Sequence, residues 1–247
     1  MPFHFEHCSF GYRRGRPVLA DLSLRVGSGH VALLGPNGAG KSTLMSLAAT
    51  TERPWSGRVV LDGLGTDNRA DLRAWRRRVG WMPQNITAVP GLTVREQVAY
   101  AGWLKGLSRD SAWTASLGAL SLVNLTEKAD VPSGELSGGQ MRRVGIAEAL
   151  VHDADVVLMD EPTAGLDPVQ YGVLRDLMAG LSDRVRFLIA THDSRDLADL
   201  YTTVIVMSGG EVRFHGDMAS FLDHAPGGGE PHRRAEDAYR VLSGAEG

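Results

Sequence analysis

A glycine-rich stretch near the N-terminus has the residue types and spacing of a phosphate-binding loop. It matches the pattern G-x-x-x-x-G-K-[ST] in full and lies between a short apolar run and a segment with helical periodicity. Small residues let the backbone amides converge on phosphate oxygens, and the N-terminus of the following helix adds partial positive charge. Lys41 is expected to reach the β- and γ-phosphates and Ser42 to offer its hydroxyl to Mg²⁺. We call these eight residues the phosphate loop: Gly35, Pro36, Asn37, Gly38, Ala39, Gly40, Lys41 and Ser42.

A pair of acidic residues follows a second apolar run, residues 156–159. A buried strand that ends in Asp160 brings a carboxylate to the carboxyl edge of a parallel sheet, where phosphate loops lie. We expect Asp160 to hold Mg²⁺, usually through water, and Glu161 to polarise the attacking water. Taken alone, the same pattern also describes an ordinary strand followed by a solvated acidic turn.

A third motif, which we call the signature loop, covers residues 136–140. Its two glycines leave backbone amides uncovered, and the helix after them supplies another positive N-terminus, so it is a second candidate anion-binding loop. A capped helix start is the alternative interpretation, because serine before glycine is common there. The polar and glycine positions are Ser137, Gly138, Gly139 and Gln140.

Alternating strands and helices are needed to position these motifs. The first part of the chain has the period-two apolar alternation of strands, and an alternation of strands and helices resumes after residue 140, which predicts a mostly parallel sheet. Residues 93–125 have a helical pattern with no strand signal: Thr93 and Glu96 form a capping box that starts one helix, and Gly106 and Ser108 separate it from a second. The middle of the chain is therefore predicted to form a helical insert.

Composition limits the function classes. The chain has 247 residues, and 26 basic against 29 acidic residues give a net charge of −3, which argues against a protein-wide footprint for nucleic acid. One cysteine, Cys8, excludes an internal disulfide framework and fits a reducing compartment. No apolar run approaches the roughly 20 residues of a membrane-spanning helix, and the first residues lack the features of a signal peptide. A cytoplasmic protein, or a soluble subunit of a membrane complex, is the simplest interpretation.

Two further features have ordinary interpretations that we prefer. The basic run at residues 73–78 is expected to be a solvated helix face, with a contact to nucleic acid or lipid as the less favoured reading. Residues 93–106 carry apolar and aromatic side chains that are expected to form subdomain core. One edge of that helix could form a groove for a partner helix.

The three motifs, in this order, resemble the nucleotide-binding subunit of an ABC transporter. The resemblance covers nearly the whole chain, about residues 3–223. It implies an α/β fold of the P-loop NTPase type, with a mostly parallel sheet core, an N-terminal antiparallel β-subdomain and an inserted α-helical subdomain at about residues 85–140. A loop and a short helix would follow at residues 224–247.

Single residues extend the resemblance. Tyr12 lies where an aromatic ring stacks on adenine, although a surface or core tyrosine is the alternative. Gln84 matches the glutamine that links Mg²⁺ to the helical subdomain, and Asp167 matches a loop that crosses to a partner subunit. His192 matches the histidine that contacts the γ-phosphate, although a lone histidine after a strand is more often structural. Thr43, beside the phosphate loop, completes the implied ATP-binding set.

The resemblance implies ATP and Mg²⁺ as cofactors. Three residues would carry catalysis: Lys41, Glu161 and His192. Three would hold the metal: Ser42, Gln84 and Asp160. The signature loop would act in trans, on nucleotide held by a second ATP-binding subunit, which is either identical or different. Two positions depart from the family pattern, since Met141 replaces a more usual polar residue and Glu148 stands where Arg or Gln is frequent.

The resemblance further implies integral membrane permease subunits as partners, no nucleic acid, and a peripheral location at the cytoplasmic face of the membrane. Four segments look most like those of export-type drug-efflux subunits, at residues 90–96, 104–107, 163–168 and 235–242. A soluble ABC ATPase that acts on ribosomes or DNA is the alternative. It is disfavoured because the chain has one ATPase domain and no sustained heptad pattern. A regulatory nucleotide sensor is a third hypothesis, against which the intact Glu161 and His192 argue.

Overall fold

The computed structural model describes residues 3–27, 29–193, 201–227 and 229–244. In chain order its elements are β1 (Phe3–Phe10), β2 (Leu19–Val26), β3 (Val31–Leu34), α1 (Lys41–Ala48), β4 (Ser56–Leu61), β5 (Leu64–Gly65), α2 (Arg69–Arg78), β6 (Val79–Met82), α3 (Val94–Leu104), α4 (Arg109–Leu122), α5 (Gly138–Leu150), β7 (Val156–Asp160), α6 (Pro168–Leu181), β8 (Arg186–Thr191), β9 (Thr203–Ser208), β10 (Glu211–Asp217), α7 (Met218–Leu222) and α8 (Pro231–Ser243). Short 3₁₀ helices cover Thr126–Lys128 and Ser133–Glu135.

The chain forms two compact units. The first contains Met1–Trp75 and Phe187–Gly247, and the second contains Arg76–Arg186. Each unit has its own strands and helices.

The first unit begins with an antiparallel sheet in the order β2-β1-β4-β5. Phe3 and Phe5 of β1 are buried, and Leu22, Leu24 and Val26 of β2 are buried in the same alternation, so one face of the sheet packs into the core. The predicted N-terminal antiparallel subdomain is thus observed as an antiparallel sheet.

Strands with mostly parallel pairing make up the rest of the first unit's sheet structure. All four residues of β3 are buried, and β3 lies between β8 and β9 with parallel pairing to both, whereas β10 is antiparallel to β9. Such complete burial explains why its sequence is continuously apolar. Helices α7 and α8 pack on β3 and β9 through an apolar cluster that contains Leu34, Val204, Val206, Phe221, Ala235 and Ala238.

The second unit combines the parallel pair β6 and β7 with four helices. The predicted capping box begins α3, since the Thr93 Oγ1 accepts from the amide of Glu96 and the Glu96 carboxylate accepts from the amide of Thr93. Gly80 of β6 is required for packing, because a Cβ there would collide with the carbonyl oxygen of Ala149 on α5.

The predicted α/β class is confirmed, with an antiparallel N-terminal sheet and mostly parallel pairing among the other strands. The short helix predicted within residues 224–247 is observed as α8, and Pro231 occupies its first turn. The division into an ATPase domain, residues 1–223, and a tail, residues 224–247, stays a prediction, and residues 228 and 245–247 of that tail lie outside the described residues.

Candidate functional site

The phosphate loop connects β3 to α1 in the first unit. Gly38 and Gly40 have φ angles of 81° and 101°, in the left-handed region that favours glycine. A Cβ on Gly35 would lie 2.5 Å from the carbonyl oxygen of Met207, whereas the space around Gly38 is open to 4 Å. The backbone is therefore folded tightly at one end of the loop and uncovered in the middle, as a cradle for a phosphate requires.

Lys41 is buried at the start of α1, with 5% of its surface exposed. Its Nζ donates to the carbonyl oxygen of Gly35 at 2.6 Å and approaches that of Pro36 at 3.4 Å, so the ammonium group lies over the loop. The N-cap of α1 is Gly40, which supplies no side-chain cap. This helix start can therefore offer its first-turn amides to an anion, and the loop fits the phosphate groups of a nucleotide.

Tyr12 lies beside the same helix. Its Oη is 3.3 Å from Oγ1 of the buried Thr43, and its ring meets the ring of Phe10 edge-on at 5.3 Å. The side chain is 64% exposed, which excludes the interpretation of Tyr12 as a core residue. An uncovered aromatic face next to the phosphate loop is available for stacking on a base.

His192 reaches the same edge of the sheet as the phosphate loop. Leu34 of β3 and Thr191 of β8 are paired in parallel register, and the residues that follow them are Gly35 and His192. Because the carboxyl ends of parallel strands meet at one edge, the predicted γ-phosphate contact and the start of the loop lie together. His192 is exposed, whereas Thr191 is buried.

In the second unit, Asp160 ends β7 and Glu161 follows it, and both are buried. Met82 of β6 and Met159 of β7 are paired in parallel register. Gln84 follows the end of β6, so it lies at the same edge of the strand pair as Asp160 and Glu161. Glu161 has a φ of 49°, in the left-handed region that residues other than glycine adopt uncommonly. Carboxylate, amide and hydroxyl oxygens are suitable Mg²⁺ ligands, and the predicted metal set from this unit, Asp160 and Gln84, has the required chemistry.

The signature loop forms the capped start of α5. Ser137 Oγ accepts from the amide of Gln140 at 3.3 Å, and Gln140 Oε1 accepts from the amide of Ser137 at 3.0 Å. Ser137 and Gly138 are exposed, and a Cβ on Gly139 would collide with the side chain of Gln170. The alternative interpretation as a capped helix start is correct for this geometry, while the uncovered Gly138 keeps the loop open to a ligand.

Asp167 caps α6, with its Oδ1 accepting from the amides of Val169 and Gln170 at 2.9 Å each. Asp167 therefore stabilises its own helix, and because it is exposed it is also accessible for the predicted contact with a partner subunit.

Sequence reasoning missed Arg142, on the first turns of α5. Its guanidinium donates to three backbone carbonyls, those of Gln84 at 2.7 Å, Glu161 at 3.2 Å and Ala164 at 2.9 Å. No residue pattern announces such bonds, since every residue has a carbonyl group. The only sequence feature that could have indicated a role for Arg142 is its position one helical turn after Gly138 of the signature loop.

Comparisons with known proteins agree with this geometry. A profile of the ABC transporter family matches residues 19–164. The cobalt import ATP-binding protein CbiO of Rhodobacter capsulatus is 40% identical over 221 residues, which cover 88% of this chain and 79% of that protein. The methionine import ATP-binding protein MetN of Caulobacter vibrioides is 35% identical over 250 residues, which cover 98% of this chain and 73% of that protein.

Two solved structures are similar over most of the chain. The ATP-binding cassette MJ0796, in a dimeric post-hydrolysis state with ADP and Pi, has a TM-score of 0.76 and 26% identity over 87% of this chain and 98% of that one. The cbiO1 protein of Clostridium perfringens, part of the transporter complex cbiONQ, has a TM-score of 0.74 and 30% identity over 87% of this chain and 88% of that one.

These findings confirm an ABC cassette with the P-loop NTPase fold, but they do not support the predicted export type, since the relatives named above are import proteins. Among the helices in the described part of the chain, none has the length and apolar character to cross a membrane. The chain belongs to the ABC transporter family, as an ATP-binding cassette that hydrolyses ATP.

Proposed function

We propose that this chain is the ATPase subunit of a membrane transporter, with Mg²⁺-ATP held at the phosphate loop. The observation that carries the proposal is the loop itself, in which left-handed glycines, a buried lysine and an uncapped helix start converge. Lys41 and the loop amides hold the β- and γ-phosphates, and Tyr12 stacks on the adenine.

Mg²⁺ would be held by Ser42, Asp160 and Gln84, and when bound it neutralises charge on the β- and γ-phosphates. Glu161 polarises the attacking water, and its burial strengthens that interaction because the local dielectric is low. His192 contacts the γ-phosphate from the end of β8.

A second cassette completes each site in this proposal. The exposed signature loop of one subunit covers the γ-phosphate on the other, which excludes water and adds helix-terminal positive charge. The dimeric state of the similar cassette MJ0796 supports this arrangement. The second cassette is an identical or a different chain.

A groove between α3 and α4 supports a membrane partner. It encloses about 900 Å³, and its apolar lining includes Leu92, Ala99, Tyr100, Trp103 and Trp113. The rings of Tyr100 and Trp103 are stacked 5.8 Å apart and both are about half exposed, which is unusual for large apolar side chains without a partner. We assign the groove to a short amphipathic helix from a cytoplasmic loop of the permease, which would hold the chain at the cytoplasmic face of the membrane.

Import is the direction that the relatives favour, and their cargoes, cobalt and methionine, are the first ones to test. The complex of this chain and its permease would be reconstituted into liposomes that carry lumenal Co²⁺ or labelled methionine, with the cassettes outside. Import predicts ATP-dependent loss of cargo toward the cassette side. ATP-dependent accumulation in the lumen would instead establish export, and co-purification with ribosomes or DNA without a membrane protein would favour the alternative function.

A further inference from the structure

We infer that Arg142 is a positioning residue for ATP hydrolysis, which ties the signature helix to the backbone that carries Gln84 and Glu161. The inference rests on the proposed roles of those two residues. Arg142 itself is not expected to touch the nucleotide, because it donates to backbone carbonyls.

The three acceptors belong to three different segments. Gln84 lies in the irregular segment between β6 and α3, Glu161 directly follows β7, and Ala164 lies in the turn that leads to Asp167 and α6. These segments contain no helix or strand, and the stretch after Glu161 is otherwise held by two turn hydrogen bonds, from the amide of Ala164 to the carbonyl of Glu161 and from the amide of Leu166 to the carbonyl of Thr163. One guanidinium group therefore bonds the backbones of both Gln84 and Glu161, two second-unit residues of the proposed nucleotide site.

The bond to the Glu161 carbonyl matters most. Glu161 holds a left-handed φ of 49°, and such a conformation persists only where neighbouring groups fix it. A shift of about 1 Å in a reacting group can reduce a rate by about 10²-fold. Loss of the carbonyl anchor would let the Glu161 backbone relax and move its carboxylate away from the water.

An arginine suits this position better than a lysine. Its planar group presents five donors in a fixed fork, which allows one side chain to bond three carbonyls in different directions. Burial lowers the pKa of Arg142, and the charge of Glu161 partly opposes that shift.

Arg143, the next residue, provides a matched control. It is also half-buried on α5, and its guanidinium also donates to two backbone carbonyls, those of Val123 and Asn124, at 3.2 Å each. Val123 and Asn124 lie at the end of α4, and neither belongs to the proposed site. Truncation of Arg143 should therefore destabilise the fold in the same way without disturbing the site.

The test uses the purified full chain and its Arg142→Ala, Arg142→Lys and Arg143→Ala variants. For each, kcat and KM for Mg²⁺-ATP, the Kd for a fluorescent ATP analogue, and the thermal midpoint are measured. We expect kcat to fall at least tenfold in Arg142→Ala, with KM and Kd within about threefold, and Arg142→Lys to recover part of the loss. Arg143→Ala should keep kcat within about threefold although its thermal midpoint also falls.

The inference is overturned if Arg142→Ala keeps the kcat of Arg143→Ala, or if only KM and Kd change. Should Arg142→Ala not fold, the pair Arg142→Lys and Arg143→Lys replaces it with the same criteria. Glu161→Gln distinguishes a failure of the proposed site from a failure of the role of Arg142. Normal hydrolysis in Glu161→Gln would refute the proposed site. An inactive Glu161→Gln together with a normal Arg142→Ala would refute only the role of Arg142.

Discussion

Gln97 of α3 donates from Nε2 to Oε1 of Glu148 on α5 at a distance of 2.7 Å. The same amide group accepts from the backbone N–H of Val89 and donates to the carbonyl of Thr87, so it joins both helices to the segment that follows Gln84. Burial raises the pKa of Glu148 to about 7, although the bond from Gln97 acts in the opposite direction. Glu148, one of the two departures from the family pattern, therefore lies in a helix–helix contact.

A pH-dependent stability follows from this pair. The ordinary pKa of Glu148 is 4.5, so the folded state binds its proton more tightly than the unfolded state does. The stabilisation of the fold by the protonated Glu148 side chain is therefore fully present below about pH 4.5 and is lost as the pH rises through 7. Glu148→Gln stays uncharged and keeps an acceptor oxygen for Gln97. We expect the free energy of unfolding of the wild type, relative to Glu148→Gln, to fall by up to about 3 kcal/mol between pH 4 and pH 8.

Urea denaturation across that range measures this difference. Desolvation also lowers the pKa of the half-buried Lys105 to about 8 and that of the buried His152 to about 4, but both groups are present in both proteins, so their effects cancel in the comparison. Glu127→Gln, at a surface position, is the control. Parallel stability curves for wild type and Glu148→Gln would show that the carboxyl group does not stay protonated in the fold.

Lys41→Ala should abolish useful nucleotide binding. The side chain supplies the main point charge on the β- and γ-phosphates, and charged hydrogen bonds of this kind contribute about 1.5–3 kcal/mol, or roughly 10- to 150-fold in Kd. Titration with a fluorescent ATP analogue measures the loss. Lys105→Ala removes a half-buried lysine that donates to the carbonyl of Val79, and it should keep the wild-type Kd. Near-normal affinity in Lys41→Ala would refute the assignment of the loop.

Glu161→Gln should keep ATP binding and lose turnover. The amide has the shape of the carboxylate but does not polarise water as a base, and positioned acid–base groups contribute about 10²–10⁴-fold. The variant should accumulate as an ATP-dependent dimer, because closed subunits separate only after hydrolysis. Size-exclusion chromatography with Mg²⁺-ATP detects the dimer, and a phosphate-release assay detects the loss. A variant that hydrolyses ATP at the normal rate would remove Glu161 from its proposed role.

A mixing experiment tests whether the signature loop acts in trans. Ser137→Arg blocks the loop but leaves the phosphate loop intact, and Lys41→Ala does the reverse, so each chain alone should be inactive. A heterodimer of the two has one site built from an intact phosphate loop and an intact signature loop. We expect an excess of Ser137→Arg added to Lys41→Ala to recover part of the hydrolysis.

Crosslinking makes the outcome of that mixture decisive. If heterodimers form and no activity returns, then the signature loop serves its own chain's nucleotide or both sites must act together. Nucleotide binding by Ser137→Arg alone separates these explanations, because binding stays near normal only when the loop acts across the dimer.

Strongly periodic elements and their capping residues were predictable from sequence. The Thr93–Glu96 capping box marked the start of α3 to within one residue. The phosphate loop was located by its glycines, Lys41 and Ser42, which lie between an apolar run and a helical segment. Helix α7 and strand β5 were missed, because they are too short for any period to show. The bonds of Arg142 could not be predicted either, since its acceptors are backbone groups brought near by tertiary packing.

The reciprocal bonds between Ser137 and Gln140 have a consequence for how fast two cassettes can associate. A loop whose ends are already held by its own helix does not have to be ordered when the partner's phosphate arrives, so little conformational entropy is lost at that moment. Because the loop is already ordered, the rate of closure should be limited by the encounter of the two subunit surfaces and by their desolvation. Closure should therefore depend on subunit concentration, and a permease that holds two cassettes side by side would accelerate it by raising their effective concentration.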